Sequence, residues 1–389
     1  MVLLDAVVIG AGPAGATAAR DLAQNGARVA LVDGSHPREK PCGGGVTGRA
    51  LDLAGTEIPG GCATDAVTFE AAGRRATVSL PRTGNLRVFS REIFDAALVR
   101  QAVDGGSELV RSRVTSISRA AGRWTIQAGE RTLEAQWLLG ADGAGGVVRK
   151  QVARGFERRQ LSIAAGSYVD GVDTTEIVIG FVDSPRGYLW SFPRPGHLAV
   201  GTCAQANETT ATEMQAVTDR WLDGYAPAAG RPRRRYAWPI PSLEACDLDV
   251  EQPAGDGWML LGDAAGLVDP ITREGIFFAL RSGMLAADAL RAPSPQLAYA
   301  ERVRDELHDE LRRAARLKAG FFRPRFTRLL IDALNESEGI RDVMIDLVAG
   351  RQPYQGLKRR LLGTMELGLA VRMLIGALTW PDSRPERAR

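Results

Sequence analysis

The sequence lacks the features that mark several large classes of protein. Its 389 residues include only four cysteines, which are widely spaced and form no CxxC pair. The sequence therefore indicates neither a metal site nor a disulfide framework, and this use of cysteine is typical of a reducing compartment. Lysine and arginine together number 49 against 46 aspartates and glutamates, so the net charge gives no indication of a nucleic-acid partner.

No targeting signal, internal repeat or low-complexity tract is visible either. The chain starts with an apolar run that has no basic leader and no AxA cleavage site, which argues against secretion. We therefore expect a cytoplasmic protein. With 45% hydrophobic residues, a chain of this length can bury a sizeable core that divides into two or three lobes.

The N-terminal stretch VVIGAGPAGATAARDLAQNGARVALVD is typical of a dinucleotide-binding βαβ unit. In such a unit Gly10 permits the turn, Gly12 lets the backbone approach a pyrophosphate, and Gly15 lets the helix pack closely on the strand. The apolar and alanine-rich runs predict a strand, a helix and a second strand, over residues 3–9, 13–24 and 28–32.

An acidic residue follows the second predicted strand, where such units bind a ribose. Asp33, 23 residues after Gly10, can accept a hydrogen bond from a ribose 2′-OH, which disfavours a cofactor with a 2′-phosphate. We assign Gly34 to the same loop, and Pro13 and Ala14 to the helix N-terminus that would hold the pyrophosphate. A unit of this kind can bind either NAD or FAD, so it does not indicate which of the two is the cofactor.

A second glycine-rich region, WMLLGDAAGLVDPITREGIFFALRSGMLAADAL at 258–290, favours FAD. It predicts a buried strand, a Gly262-Asp263 turn and a helix that starts near Gly275. An aspartate at the end of a strand can bind the hydroxyls of a ribityl chain, which NAD lacks. The helix start at Gly275 and Ile276 would direct N–H groups to the pyrimidine edge of a flavin.

A third strand and turn, WLLGADGAGGVVRK at 137–150, contributes Asp142. Each of the three glycine-rich elements alone is also compatible with a structural turn. All three in this order favour an FAD site.

Together these segments resemble the FAD-dependent oxidoreductases with the para-hydroxybenzoate hydroxylase-like fold, and among them the geranylgeranyl reductase family. The resemblance covers about residues 5–290. It rests on GAGPAGATAA with Asp33, KPCGGG at 40–45, SREIFDAAL at 90–98, GADG at 140–143, GYLWSFP at 187–193 and GDAAGLVDPITREGI at 262–276.

The resemblance implies non-covalent FAD in a site built from the matching residues. Arg91 would approach the FAD phosphates and ribityl chain, and Asp263 would bind the ribityl chain. The segment from Pro270 to Ile276 would lie under the isoalloxazine, although Arg273 departs from the pattern because many relatives carry glycine there. The segment KPCGGG would lie against the flavin, where glycine lets the backbone pass close to the ring; its predicted site residues are Lys40, Cys42, Gly43 and Gly44.

Cys42 and Lys40 each have a plainer alternative. A thiol beside the flavin could donate a proton or bind a substrate edge, and we predict a catalytic role for Cys42. Buried free cysteines are commonly inert, however. Lys40 could be a solvated loop lysine instead of a cofactor ligand.

The stretch GYLWSFPRPGHLAVG places three aromatic residues at period two, so they share one face of a predicted strand. Such a stripe is commonly ordinary core. The resemblance implies instead that Tyr188, Trp190 and Phe192 line a long apolar pocket in front of the flavin, together with Gly44. We predict Tyr188 as a second catalytic residue, since a buried phenol needs a hydrogen-bond partner.

His197 follows Pro195-Gly196, so we predict that it lies in a turn and has no role as a base.

The predicted fold class is α/β, with a Rossmann-type FAD-binding domain, an inserted antiparallel β-sheet substrate domain and a C-terminal helical region. Alternating segments at 62–80, 162–182 and 187–203 predict the inserted sheet. We place the FAD-binding domain at 1–61, 82–160 and 248–292, the substrate domain at 62–81 and 161–247, and the helical region at 293–389.

The helical region could contact a membrane surface or the substrate. Residues 296–318 predict a long charged helix with a solvated face. The stretch 361–380 is long enough to span a bilayer, but Glu366 and Arg372 would each cost about 2.5 to 3.5 kcal/mol at mid-membrane. The basic residues 358–360 could instead hold the protein at the periphery of an anionic membrane. The alternative is a helix packed over the cavity as a lid.

We predict an FAD-dependent oxidoreductase that reduces C=C bonds of an isoprenoid or other apolar substrate, such as a prenyl lipid. Hydride would come from reduced flavin, and a proton from Cys42, Tyr188 or water. NAD(P)H, ferredoxin or another reductant could supply electrons, through an electron-donor protein if needed. The alternative is a flavin monooxygenase (hydroxylase or epoxidase) on the same fold, and a minor one is a non-catalytic flavin- or lipid-binding protein.

Overall fold

Strands and helices alternate in the first half of the chain, whereas the described residues after 275 are mainly helical. The computed structural model describes residues 2–55, 58–80 and 86–364. Its strands are β1 Leu4–Ile9, β2 Val29–Val32, β3 Gly45–Thr47, β4 Cys62–Ala63, β5 Ala66–Ala71, β6 Arg74–Ser79, β7 Leu86–Val88, β8 Glu108–Val110, β9 Val114–Ala120, β10 Arg123–Ala128, β11 Arg131–Gly140, β12 Leu161–Asp170, β13 Glu176–Asp183, β14 Arg186–Arg194, β15 His197–Gln205, β16 Arg233–Pro241, β17 Ala254–Gly255 and β18 Trp258–Leu260. Its α-helices are α1 Pro13–Gln24, α2 Gly48–Ala54, α3 Arg91–Asp104, α4 Val147–Val152, α5 Ala211–Asp223, α6 Ala245–Val250, α7 Ile276–Ala289, α8 Pro295–Val303, α9 Asp309–Phe321, α10 Pro324–Glu336, α11 Glu338–Val348 and α12 Leu357–Leu362.

The first sheet carries the dinucleotide-binding unit. Its parallel strands lie in the order β18-β11-β1-β2-β8. The β9-β10 hairpin pairs antiparallel with the first part of β11, and β17 pairs antiparallel with β18. Apolar side chains from β1, β2, β11, α1, α3 and α7 form one buried cluster. The predicted strand, helix and strand of the N-terminal unit are confirmed, as is the α/β fold class.

The turn between β1 and α1 requires glycine because backbone touches backbone there. Gly10 has a φ of +104°, and a Cβ atom on it would lie 2.3 Å from the carbonyl oxygen of Ala141. A Cβ on Gly15 would lie 1.9 Å from the carbonyl oxygen of Gly10. Both distances are far below van der Waals contact, so neither position accepts a side chain.

The second sheet has the order β16-β12-β15-β14-β13-β5-β6. Its neighbours pair antiparallel, except that the β5-β6 hairpin joins through parallel pairing of β5 with β13. One face of this sheet packs on α5, where Leu189 and Leu198 contact Leu222 in one cluster. The opposite face packs on α9, α10 and α11 and includes Tyr188 and Trp190. A small sheet, β3-β7-β4, lies beside the two large ones.

The helical region begins with one continuous helical run from Pro295 to Phe321. It consists of α8, a π-helical turn over Arg304–His308, and α9. The helix predicted over 296–318 lies within it. Helix α10 then packs on β5 and β6. In the stretch 361–380, residues from 365 onward lie outside the described residues, and no helix among the described ones is long and apolar enough to cross a bilayer.

Helices α1 and α7 pack against each other at Gly283. A Cβ atom there would lie 2.5 Å from the carbonyl oxygen of Ala14 and 3.1 Å from the amide nitrogen of Ala18. We expect Gly283→Ala to lower the free energy of unfolding by roughly 1 to 3 kcal/mol, because the methyl group forces the two helices apart. Chemical denaturation measures the effect.

Gly145→Ala is the matched control, because a Cβ on Gly145 would meet no atom within 4 Å. Equal stability of the two variants would contradict the close contact between α1 and α7.

Candidate active site

A cavity of about 240 Å³ lies where both large sheets meet the C-terminal helices. Three loops form its polar end: KPCGGG at 40–45, the turn at Asp263, and the segment 271–276. The rest of its wall is largely apolar, from β5, β13, β14 and the helices α9 and α11. Segments far apart in the sequence therefore converge on one space.

Two helix N-termini open onto this cavity. Helix α1 begins at Pro13 and α7 begins after Gly275, and neither N-terminus has a side-chain cap. Their first amides are therefore available to a ligand, and both helix dipoles favour negative charge. A Cβ on Gly12 would meet only His36 Nε2, at 3.8 Å, so the turn is open on this side. These features fit FAD, with its pyrophosphate on α1 and its flavin edge at α7.

Asp33 follows β2 and is tied to the phosphate-binding turn. Its Oδ2 accepts a hydrogen bond from the amide of Ala11 at 2.9 Å, and its Oδ1 accepts one from the amide of Ser35 at 2.6 Å. Burial acts in the opposite direction, but the hydrogen bond from His36 holds the pKa of Asp33 far below its ordinary value. The carboxylate is therefore ionised and can accept from a ribose hydroxyl.

Lys40 and Asp263 form an ion pair in the cavity wall. Lys40 Nζ lies 3.3 Å from Asp263 Oδ2, and the lysine side chain is only 20% exposed. Both residues line the cavity. Lys40 is therefore not a solvated loop lysine, and its proposed contact with the cofactor stays a prediction.

The carboxylate of Asp269 stabilises the turn before α7 through hydrogen bonds. This carboxylate accepts hydrogen bonds from the amides of Ile271 and Thr272 at 2.7 and 3.0 Å. Arg273 has a φ of +60°, the left-handed region that favours glycine. Its Nη1 donates to Ser242 Oγ at 2.7 Å and to the Pro270 carbonyl at 2.6 Å, so the side chain ties this turn to the end of β16.

Arg91 is buried at the start of α3 and reaches the cavity. Its Nε and Nη2 donate to Asp95 at 2.9 and 2.8 Å. Its Nη1 lies 3.6 Å from Cys42 Sγ. The guanidinium thus bridges a buried carboxylate and the thiol of the KPCGGG segment.

Tyr188, Trp190 and Phe192, called the aromatic stripe below, line the cavity. A Cβ on Gly43 or Gly45 would lie 2.8 or 2.7 Å from the Phe192 ring. The glycines of the KPCGGG segment are therefore required by contact with this ring, and the segment lies directly on the aromatic stripe.

The Tyr188 hydroxyl has a hydrogen-bond partner, as a buried phenol requires. It donates to the carbonyl oxygen of Thr272 at 3.0 Å, and its ring is parallel to that of Phe322. Burial raises the pKa of Tyr188 well above its ordinary value. Tyr188 therefore joins the second sheet to the turn before α7, and its proton is poorly available for transfer.

Arg194 was not predicted from the sequence. Its side chain is fully buried, pairs with Glu39, and donates to the carbonyl oxygens of Cys42 and Gly43 at 2.7 and 3.1 Å. Its Nη2 also lies 3.2 Å from Cys42 Sγ. Arg194 holds the KPCGGG segment in place. The available signal was its position two residues beyond Phe192, which continues the spacing of the aromatic stripe.

Several predicted residues lie outside the cavity wall. Asp142 Oδ2 accepts from the amide of Val148 at 3.0 Å and so caps α4, and burial raises its pKa. A Cβ on Gly34 would meet the amide nitrogen of Arg113 at 3.0 Å. Ala14, Gly262 and Pro270 are also absent from the wall.

The turn predicted for His197 is wrong, because this residue begins β15. Gly196, with a φ of +81°, completes the turn and lets pairing start one residue later. The ring of His197 is buried edge-on against Tyr168. It does not line the cavity.

Comparison with known proteins agrees with this geometry. Residues 4–171 match the family model of pyridine nucleotide-disulphide oxidoreductases. The chain is 29% identical over 347 residues to a digeranylgeranylglycerophospholipid reductase of Methanothrix thermoacetophila, covering 82% of this chain and 88% of that one. It is also 29% identical over 306 residues to a geranylgeranyl diphosphate reductase of Rhodobacter capsulatus, covering 74% and 75%. The chain is thus similar to geranylgeranyl and digeranylgeranylglycerophospholipid reductases over most of its length.

Solved structures of other proteins share the fold. A geranylgeranyl bacteriochlorophyll reductase-like protein of Thermoplasma acidophilum matches with a TM-score of 0.76 at 22% identity, over 93% of this chain and 99% of that one. The flavin-dependent brominase Bmp2 matches with a TM-score of 0.68 at 21% identity, again over 93% and 99%. At these identities the matches show the fold alone. The protein is an FAD-dependent oxidoreductase, as predicted.

Arg194→Lys is expected to loosen the KPCGGG segment, because one ammonium group cannot replace a planar guanidinium that contacts Glu39 and two carbonyl groups. The Cys42 thiol should then react faster with a disulfide reagent, by roughly tenfold or more. The measurement uses a Cys62→Ser, Cys246→Ser background. An unchanged rate would show that Arg194 does not hold the segment.

Proposed function

We propose that this protein reduces C=C bonds in a geranylgeranyl or similar isoprenoid chain. The cavity is the observation that carries the proposal. From the loops that fit FAD it continues along an apolar wall that includes Phe69, Ile179 and Phe181. An isoprenoid chain is apolar along its length, so this wall can bury it and exclude water. The two named relatives are reductases of molecules that share a geranylgeranyl chain.

The residues at the polar end would hold the cofactor. The α1 N-terminus and Asp33 would bind the pyrophosphate and ribose, and Lys40 with Asp263 would bind the ribityl chain. The first amides of α7 would face the pyrimidine edge. Bound FAD, once reduced by an external electron donor, would supply the hydride. The aromatic stripe and the glycines of the KPCGGG segment would then orient the alkene.

Cys42 is our candidate for the group that supplies the proton to the neighbouring carbon. Its sulfur lines the cavity end and lies 3.6 Å from Arg91 Nη1 and 3.2 Å from Arg194 Nη2. Both guanidinium groups can stabilise negative charge on the sulfur as the proton leaves. Tyr188 is less suited, because its hydroxyl donates to a backbone carbonyl and its phenol is buried. Its role would be to position the cavity wall.

A pair of cations beside the turn before α7 suits an anionic headgroup; Arg273 lines the cavity, and Lys318 lies next to it. Lys318 Nζ and Arg273 Nη1 both contact Ser242 Oγ, at 2.8 and 2.7 Å. Among the described residues, neither cation has a carboxylate at ion-pair distance. Burial, and then the charge of Arg273, lowers the pKa of Lys318 to about 7. A phosphate group close to this pair would restore the proton on Lys318 and compensate both charges.

We also propose that the C-terminal helices contact a membrane surface from which a prenyl lipid could enter. Leu362 is 39% exposed at the end of α12, next to a basic run. One residue of that run, Arg360, pairs with Asp346, which leaves Lys358 and Arg359 to face anionic lipid.

Mixing photoreduced, FAD-loaded protein with geranylgeranyl diphosphate under anaerobic conditions should reoxidise the flavin, which its visible absorbance reports. A monooxygenase would stay reduced until oxygen is admitted, and a binding protein would stay reduced without any product. Geranylgeraniol carries the same chain without the diphosphate. We expect it to be reduced with a KM raised roughly tenfold or more, because it lacks the charge that the Arg273 and Lys318 pair would bind.

Cys42→Ala should lower turnover by about 10² or more, the usual contribution of a positioned general acid. Tyr188→Phe should have a much smaller effect, because only a hydrogen bond to the Thr272 carbonyl is lost. Cys62→Ala, whose thiol does not line the cavity, is the control for a lost cysteine. Full turnover by Cys42→Ala would remove Cys42 from the mechanism.

A further inference from the structure

His36 lies between two carboxylates beside the phosphate-binding turn. Its Nδ1 is 2.9 Å from Asp33 Oδ2, and its Nε2 is 3.3 Å from Asp95 Oδ2. The His36 side chain is 10% exposed and that of Asp95 is fully buried. A ring with an acid at each nitrogen is best satisfied as imidazolium, since only that form carries a proton on both nitrogens.

Asp33 and Asp95 contact different parts of the site that would hold FAD. Asp33 also accepts from the amide of Ala11 within the phosphate-binding turn, at 2.9 Å. Asp95 forms the two-bond pair with Arg91, which lines the cavity. His36 is therefore the link between the turn and the buried arginine.

The ring also lies close to the place where the backbone admits a pyrophosphate. A Cβ atom built on Gly12 would be 3.8 Å from His36 Nε2, and it would meet no other atom within 4 Å. Gly12 is the position at which such turns let a pyrophosphate approach. The charge of His36 is thus near the place where the phosphates would bind.

The net charge of His36 and its charged neighbours depends on one proton. Protonated His36, Asp33, Asp95 and Arg91 together are neutral, whereas loss of the His36 proton leaves one net negative charge beside the pyrophosphate site. Burial by itself would lower the pKa of His36, but the hydrogen bond with Asp33 and the charges of both carboxylates raise it above its ordinary value. Arg111 contacts only the backbone carbonyl of His36, at 3.3 Å.

We propose that His36 is a cofactor-positioning residue, and that its imidazolium makes the retention of FAD depend on pH. The imidazolium fixes the phosphate-binding turn to Arg91 and offsets the charge of Asp33 and Asp95. When the ring loses its proton, a negative group faces the pyrophosphate and FAD affinity falls. Affinity therefore falls as pH rises through the His36 pKa. This property concerns cofactor binding and does not depend on which substrate is reduced.

The first test is a pH titration of the wild-type protein. The chain has three histidines, and the other two titrate low: burial lowers the pKa of His308 to about 4, and burial with the charge of Arg194 lowers that of His197. NMR titration of histidine-labelled protein should therefore show one ring that titrates above its ordinary range. By linkage, saturation with FAD must raise that pKa further. Equal His36 pKa values with and without FAD would overturn the proposal.

The second test measures the Kd of FAD by flavin fluorescence as a function of pH. The Kd of the wild-type protein should rise roughly tenfold or more across the His36 titration, the scale of a hydrogen bond to a charged group. The His36→Gln variant should bind FAD weakly at low pH, and its Kd should not rise with pH. His308→Gln is the matched control and should follow the wild type. A wild-type profile in His36→Gln would overturn the proposal, and if that variant does not fold, the NMR test decides. Neither test measures turnover. Failure of the His36 proposal would therefore not contradict the proposed reduction of C=C bonds.

Discussion

The segment from Lys40 to Gly45 passes directly over the aromatic face of the second sheet, and this close contact sets the geometry of the cavity around it. Phe192 leaves no room for a side chain on Gly43 or Gly45. Arg194, from the same strand, binds the carbonyl groups of the segment. The loops that we propose to hold FAD and the aromatic wall of the cavity are therefore fixed to each other through one stretch of backbone, and this backbone also sets the position of Cys42.

Two groups of buried cations near the cavity differ in the partners that the fold gives them. Arg91 and Arg194 are both buried, and each has a carboxylate partner, Asp95 and Glu39. A buried cation without a partner is strongly destabilising, so these pairs make a rigid cofactor end possible. Lys318 and Arg273 share a hydroxyl instead of a carboxylate. Under the proposed function, the anion that compensates their charge would come from the substrate and not from the fold.

Glycine positions and the spacing of residues within single elements predicted the parts of the site that depend on one helix, strand or turn. Helix α1 has the predicted bounds, and Gly10 and Gly15 are glycines because backbone contact requires them. Period-two spacing placed the aromatic stripe on one face. Sequence could not supply the partners, because they are distant: Arg194 meets Glu39 from 155 residues away, and Tyr188 meets the Thr272 carbonyl from 84 residues away. Nothing in a local pattern distinguishes a phenol that donates a proton from one that holds a turn.

The helical region carries the weakest sequence signal, yet it closes the cavity. Pro324 cannot continue helix α9, and the residue before a proline is disfavoured in helical conformation. The helix accordingly ends at Phe321, and the chain turns before α10 begins. This break places Phe321 and Phe322 in the cavity wall, with Phe322 parallel to the ring of Tyr188. The far wall of the cavity therefore depends on a helix that ends 276 residues after the KPCGGG segment. The motifs expected to bind FAD cannot by themselves define the length of chain that the cavity accepts.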